Sequence, residues 1–329
     1  MKRIYRLQSI GSSLYVALPK DWLKKFGLRK GLAVEVFVDN DGFLKIKPVS
    51  VSEEEQEKIR KVEFTVSDPR GIYNTLIASY LQGIDIIEFR FNKVMERTIR
   101  ESIEKARNTL LGLEVMSEEE NAITLQVFSS NHGDVRELIR NMSKIARSMY
   151  LDVAEALLSW DISLANSIRF RDDNLNRLYF YTVRTIRKQL TSSTLKESIL
   201  KLADFRIIAK VIEEIGDEAK HGANIVLEIL HKGFKIDKND SNYLKNCVKN
   251  LDMLYQEIIR KALSTGFNVV ELYEIMVQCH ELLDKLAKRR DIVRERPSTL
   301  SYLLAEVYAV YEAITAYIYD VASLALTPL

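Results

Sequence analysis

The stretch KLADFRIIAKVIEEIGDEAKHGANIVLEIL, residues 201–230, decides the fold of this chain. It contains no proline, and its apolar residues Ile208, Ile212, Ile215, Ala219, Gly222, Val226 and Ile229 recur at alternating threes and fours. That spacing predicts one long helix with a bundle seam along one side. Ala219 and Gly222 thin the seam, so a neighbouring backbone can come close there. Glu213 and Asp217 stand four apart, which places two carboxylates on one face just over a turn from each other, directed away from the seam. Two acids so placed can share a cation, or can simply be two solvated charges.

Outward from this helix the chain is almost entirely helical from Asp134 on, and it repeats. Tyr150, Asp152, Val153, Leu158 and Ser159 align with Tyr255, Glu257, Ile258, Leu263 and Ser264 at one constant offset. Asp172, Asp173, Asn176 and Leu178 align with His280, Glu281, Asp284 and Leu286, and Ile212–Ile215 aligns with Tyr311–Ile314. Two tandem three-helix units follow, with a loop at residues 233–240 between them. The tyrosines of the last helix, Tyr302, Tyr308, Tyr311, Tyr317 and Tyr319, read as bundle core with hydroxyls at the rim.

The string Glu213-Glu214-Ile215-Gly216-Asp217-Glu218-Ala219, continuing to Asn224-Ile225, resembles the signature of the PhoU family of phosphate-signalling regulators. The resemblance implies two similar bundles carrying acidic pairs that bind metal clusters. On that pattern Asp172 and Asp173 supply the second acidic motif, with Asn176 in place of a further acid. The implied metal set of the first bundle is Asp172, Asp173, Glu213 and Asp217, with His221 one turn on, holding a divalent or iron-type ion. In the second unit Glu312 is kept but Ala316 stands where the acid belongs, beside His280, Glu281 and Asp284, so weak metal binding or none is expected there.

The N-terminal fifty residues differ in kind. They hold ten Lys and Arg against four Asp and Glu, while the remainder holds 38 against 42, for a net charge of +2 overall. A basic head on a mildly acidic body assigns any nucleic-acid contact to the head. Lys2–Leu7 and Leu14–Leu18 read as strands around Gly11-Ser12-Ser13, and Pro19 opens a short helix that stops at Gly27. Val34–Val38 and Phe43–Lys47 alternate around Asp39-Asn40-Asp41-Gly42, a hairpin signal. So small a module has too little core to stand alone. The residues GSSLYVALPKDW, GLRKG and VEVFVDNDGFLKIKP resemble the AbrB/SpoVT swapped-hairpin DNA-binding domain. One departure is Leu32-Ala33, where a polar residue is usual after the glycine. The resemblance implies two interleaved chains. Lys2, Arg3, Arg6, Lys20, Lys24 and Lys25 are then the candidate phosphate contacts, with Ser12 and Ser13 near base edges.

Between head and bundles lies a mixed segment. Val51–Lys58 reads as a linker or the start of a helix. Val62–Val66 and Ile84–Phe91 read as strands, Pro69–Leu81 and Met95–Leu110 as helices, and 114–116 with 123–128 as a hairpin, with Gly83 and Gly112 as helix stops. The expected architecture is therefore multidomain: a small β-rich swapped-hairpin head (1–49), a small α/β domain (50–130) and an all-α body of two tandem three-helix bundles (131–329).

Four histidines and two cysteines, placed as they are, assemble no nucleophile–base set, so an enzyme is not expected. Cys247 and Cys279 have no metal-ligand spacing and read as reduced thiols of a cytoplasmic protein. No signal peptide is visible, and Glu306, Glu312 and Asp320 interrupt the most apolar run, which argues against membrane insertion. The expected protein is a homodimeric, DNA-binding regulator of phosphate uptake, its effector shifting the angle between the bundles. The alternative is an adaptor without DNA binding that docks on a phosphate transporter or signalling kinase.

Overall fold

The computed structural model describes residues 4–38, 43–48, 60–66, 71–128, 133–191, 197–264 and 266–325. The chain divides into two compact units, Met1–Lys58 and Ile59–Leu329.

In the first unit β1 (Gln8–Ile10) pairs antiparallel with β2 (Ser13–Tyr15), turning at Gly11 with φ of 62°. The strands are shorter than the pattern suggests and lie closer to the turn. Ile4–Leu7 and Val16–Leu18 form no ladder within the chain, and Lys2 and Arg3 lie outside the described residues. Helix α1 (Lys20–Lys25) follows Pro19 and ends at Gly27, whose φ of 63° only glycine adopts without strain. β3 (Val34–Val38) pairs with β4 (Leu44–Pro48), and the tip Asp39–Gly42 is outside the described residues. None of the side chains described in this unit is buried. Ile4, Leu14, Val38 and Phe43 are each two-thirds exposed or more.

The second unit begins with an α/β layer: β5 (Lys61–Val66), α2 (Ile72–Leu81), β6 (Ile86–Phe91), α3 (Arg97–Thr109), β7 (Leu113–Glu118) and β8 (Ala122–Val127). The sheet order is β5-β6-β8-β7, with β5 parallel to β6 through the α2 crossover and the other pairs antiparallel. Alternate strand residues Ile87, Phe89, Ile123 and Leu125 join Leu76, Tyr80, Ile99 and Ile103 of the helices in one core. The positions 99, 103 and 106 of α3 carry its buried stripe, as a half-buried helix requires. At Gly112 a Cβ would stand 2.2 Å from the carbonyl oxygen of Phe128, and φ is 77°, so only glycine lets β7 begin there.

Six long helices complete the unit: α4 (Val135–Ser159), α5 (Ile162–Leu190), α6 (Ile199–His231), α7 (Lys238–Ala262), α8 (Val269–Arg294) and α9 (Thr299–Leu324). Each opens on a polar N-cap, Asp134, Asp161, Ser198, Asp237, Asn268 or Ser298, whose side chain accepts a backbone N–H of the first turn. All seven predicted seam residues of α6 are buried. At Gly222 a Cβ would lie 3.1 Å from both Val153 of α4 and Val310 of α9, so this glycine lets helices of both bundles close on α6.

The two bundles share a single core. The hydroxyl of Tyr311 donates to the Tyr150 carbonyl at 2.7 Å, and that of Tyr255 donates to the Ser143 carbonyl at 2.9 Å. Arg147 forks onto Asp252 at 2.6 and 2.8 Å, and the Tyr150 hydroxyl donates to the same carboxylate at 2.8 Å. These bonds tie the bundles together. Of the predicted rim tyrosines, Tyr308 and Tyr311 are fully buried, with their hydroxyls bonded inside the body rather than at its rim.

One buried cation fastens the α/β layer to α5. Arg184 is 1% exposed. It donates to the carbonyls of Tyr80 and Ile84 at 2.9 and 2.7 Å and to Asp85 at 2.5 Å, while Lys188 reaches the same carboxylate at 3.1 Å. No helix among the described residues is long and apolar enough to cross a membrane.

Candidate cation site and nucleic-acid face

The acidic site forms beside a close approach of α5 and α6. At Gly216 a Cβ would fall 2.2 Å from Leu175 of α5, so the missing side chain lets the helices close in beside the acids. One turn from Leu175, Asp172 is 1% exposed. Its Oδ2 accepts from Lys220 at 2.5 Å and from Asn176 at 3.2 Å, and its Oδ1 has no hydrogen-bond partner. The hydrogen bond to Asp172 holds the Lys220 pKa above its ordinary value.

On α6, oxygens of Glu213, Glu214 and Asp217 lie within 4.8 Å of one another. Lys210 donates to Glu213 at 2.5 Å and to Glu214 at 2.6 Å. Burial works against the Lys210 ammonium, but these two bonds outweigh it and the pKa is raised. Asp217 stands at the exposed rim, yet the protein packed around it, with the charges of Glu213 and Asp172, raises its pKa from the ordinary 3.8 to about 6. Tyr317 of α9 faces the same acids; burial, then the charges of Glu214 and Glu218, raises its phenol pKa. The second bundle thus borders the site.

Of the residues expected from sequence, Glu213 and Asp217 come together. Asp172 lies behind them, close enough for its charge to bear on Asp217 but held by Lys220. Asp173 and His221 are exposed and do not join the carboxylate group. Asn176 serves as a partner of Asp172. Glu214 is the addition: its spacing of three to Asp217 also puts two acids on neighbouring positions of a helix face, and that was the signal available in the sequence. In the second repeat Arg290 pairs with Glu312, the His280 ring packs edge-on against Tyr319 at 4.9 Å, and Lys285 lies 3.9 Å from Glu281. No carboxylate cluster forms there among the described residues.

A pKa raised on folding carries a stability consequence. Between about pH 4 and 6 folded Asp217 holds its proton more tightly than the unfolded chain does, so stability falls as pH rises through that window and stays lower above it. Asp217→Asn is therefore expected to raise the melting temperature of the chelator-treated protein at pH 7.5, on the order of 2 °C. The gain should shrink as pH falls from 6 toward 4. Thermal melts across that range check it; a gain that grows on acidification would contradict the assignment.

In the first unit Arg6, Ser12, Ser13, Lys20, Lys24 and Lys25 are all exposed, and so are Arg29 and Lys30, which the sequence reading did not single out. An apolar groove of about 380 Å³ lies on this unit, lined by Leu18, Leu23, Leu28, Leu32 and Val34 with Arg29 and Lys30 at its edge. Elsewhere, Cys247 and Cys279 are free and buried, and burial pushes both thiols up to about 11, where they are inert at neutral pH.

Comparison with known proteins finds similarity over two stretches of the chain. Residues 139–226 match the PhoU domain, and residues 7–54 match the antidote-toxin recognition MazE, bacterial antitoxin family. The crystal structure of PhoU from Pseudomonas aeruginosa aligns with a TM-score of 0.49 and 19% identity, covering 58% of this chain and 93% of that one. No curated protein matches the sequence. The chain is thus similar to the MazE family over residues 7–54 and to the PhoU domain over residues 139–226.

Proposed function

We propose that this protein is a dimeric, non-catalytic transcriptional regulator of phosphate uptake, with a DNA-binding head and a helical body that senses a hard metal cation or a docked partner. The observation that carries the reading is the division of charge. The head exposes Arg6, Lys20, Lys24, Lys25, Arg29 and Lys30, while the body, acidic overall, gathers carboxylates at one place on α6. The PhoU match supports phosphate uptake as the process. The head's unburied apolar side chains support a second copy as the partner that completes it.

The acidic site fits a cation on its own chemistry. Glu213, Glu214 and Asp217 would hold it, an all-oxygen donor set suited to magnesium, manganese or iron. Behind them Asp172 keeps a buried oxygen without a partner. A bound cation would offset the negative charge that Lys210 and Lys220 leave uncompensated among these four carboxylates. The chain's own contribution is to preorganise the acids through the close approach at Gly216.

DNA binding through the head is expected to be steeply salt-dependent. Each neutralised phosphate contributes roughly −0.9 to the slope of log K against log salt, so a dimer with a few contacts per chain should give about −4 to −8. Arg6→Ala combined with Lys24→Ala should make the slope shallower by about 3–4 and weaken binding to all sequences. Ser12→Ala with Ser13→Ala should alter sequence preference more than slope. Anisotropy titrations on the protein's own upstream DNA at several salt concentrations measure both. If no duplex is bound in a salt-sensitive way, the regulator reading falls, and an adaptor docking on a phosphate transporter or signalling kinase takes its place.

A further inference from the structure

We infer that Lys210 is a built-in competitor for the cation site: its ammonium occupies the Glu213–Glu214 edge and must be displaced before a metal ion can take those oxygens. The inference rests on the cation reading of Glu213, Glu214 and Asp217 given above. Its basis is position. The Nζ lies 2.5 and 2.6 Å from oxygens of two of the three carboxylates, the place that an incoming cation requires. Lys210 sits three and four residues before these acids on the same helix, so it cannot diffuse away and competes as an intramolecular ligand at high effective concentration.

The two lysines of the site are not equivalent. Lys220 neutralises Asp172, whose side chain is 1% exposed, and losing it would strand a buried charge. Lys210 is 43% exposed and its partners Glu213 and Glu214 are 13% and 35% exposed, so its long stem can swing out to water while the acids it leaves are taken up by the incoming ion. Its Nζ also lies 5.8 Å from the centre of the Tyr179 ring, over which Arg206 sits at 5.3 Å. Displacing it leaves the field strongly negative: Asp172, Glu213, Glu214 and Asp217 lie close together, with Asp173 and Glu218 nearby. In the second repeat the position aligned with Lys210 is Ala309, and Arg290 from α8 neutralises Glu312 instead. The removable counter-cation is therefore a property of the first repeat.

The test is calorimetric titration of the full chain with Mn²⁺, comparing wild type with Lys210→Met, Lys210→Gln and Lys210→Arg, each with and without Asp217→Asn. Both neutral variants are expected to bind Mn²⁺ about tenfold more tightly, a gain of about 1.4 kcal/mol. Lys210→Arg should stay near wild type, and Asp217→Asn should remove binding in every background. Suppose wild type binds in an Asp217-dependent way but the neutral variants bind equally or more weakly. Lys210 is then an ordinary surface partner of the acids, and this inference is overturned while the cation reading stands. If neither wild type nor the neutral variants bind Mn²⁺ through Asp217, the cation reading itself fails and takes this inference with it.

Discussion

Asp85→Ala is expected to destabilise the larger unit by about 3–5 kcal/mol, the cost of removing one partner from a buried ion pair. Asp85 faces Arg184 at 2.5 Å and Lys188 at 3.1 Å, and side-chain exposure is 1% for the arginine and 13% for the other two. Without the carboxylate, two cations face each other where little water reaches. The two carbonyls on Arg184 Nη1 remain, but neutral acceptors do not replace a full negative charge. At roughly 2–4 °C per kcal/mol for a domain of this size, the melting temperature should drop by about 10 °C. The double variant Asp85→Ala/Arg184→Met should recover part of the loss, because it also removes the buried positive charge that Asp85 offsets. A single-variant change within a degree of wild type, measured by calorimetry, would mean that α5 and the α/β layer are held together by the apolar contacts alone.

The intact chain is expected to be a dimer tighter than about 1 µM, and removal of residues 1–58 should leave a monomer. The physical reason lies in what the head fails to bury. Two-stranded hairpins are marginal in water unless they pack against something. Here Val38 is 77% exposed, Leu14 68% and Phe43 67%, in a unit with a six-residue helix and no buried side chain among those described. The apolar groove along Leu18, Leu23, Leu28, Leu32 and Val34 is the counterpart that a second copy's strands would fill. Such an interface is isologous, each chain giving the surface that the other covers. Sedimentation of both forms at micromolar concentration decides the matter. A monomeric intact chain, or a truncated chain that still dimerises, would move the self-association elsewhere and leave the head's apolar surface to another partner.

What could be read beforehand follows the range of the physics involved. Local periodicity determined the seam of α6, since every third or fourth residue of a packed helix must be apolar; Ile208 through Ile229 are accordingly buried. The architecture of β-rich head, α/β layer and helical bundles came from the same periodicities together with the glycine and proline stops, and it holds. In the head the limits of the second hairpin came out almost to the residue, whereas those of the first did not, because alternation continues past the point where a single chain supplies a pairing partner. At the acidic site, the spacing of four found Glu213 and Asp217 and passed over Glu214. The displacement of Asp172 from the carboxylate group depends on Lys220, a partner 48 residues away. The Arg184–Asp85 contact spans 99 residues, and nothing in either local stretch marks it. Nor does composition reveal that Gly216, rather than Ala219, marks the close approach of α5.

The ion pair between Arg147 and Asp252 has an evolutionary corollary. The offset that aligns Tyr150 with Tyr255 also aligns Arg147 with Asp252, and the two aligned tyrosines meet edge-on at 5.5 Å. Equivalent positions of the repeats therefore face one another, as they would across an internal pseudo-two-fold axis. A half-length ancestor associating through this face would set each residue against its own copy, arginine against arginine or aspartate against aspartate. The positions can differ in sign only where the two copies are distinct sequences. The Arg147–Asp252 pair is thus a contact that only two unlike halves can make, and one that would be lost if each half were separated and allowed to pair with itself.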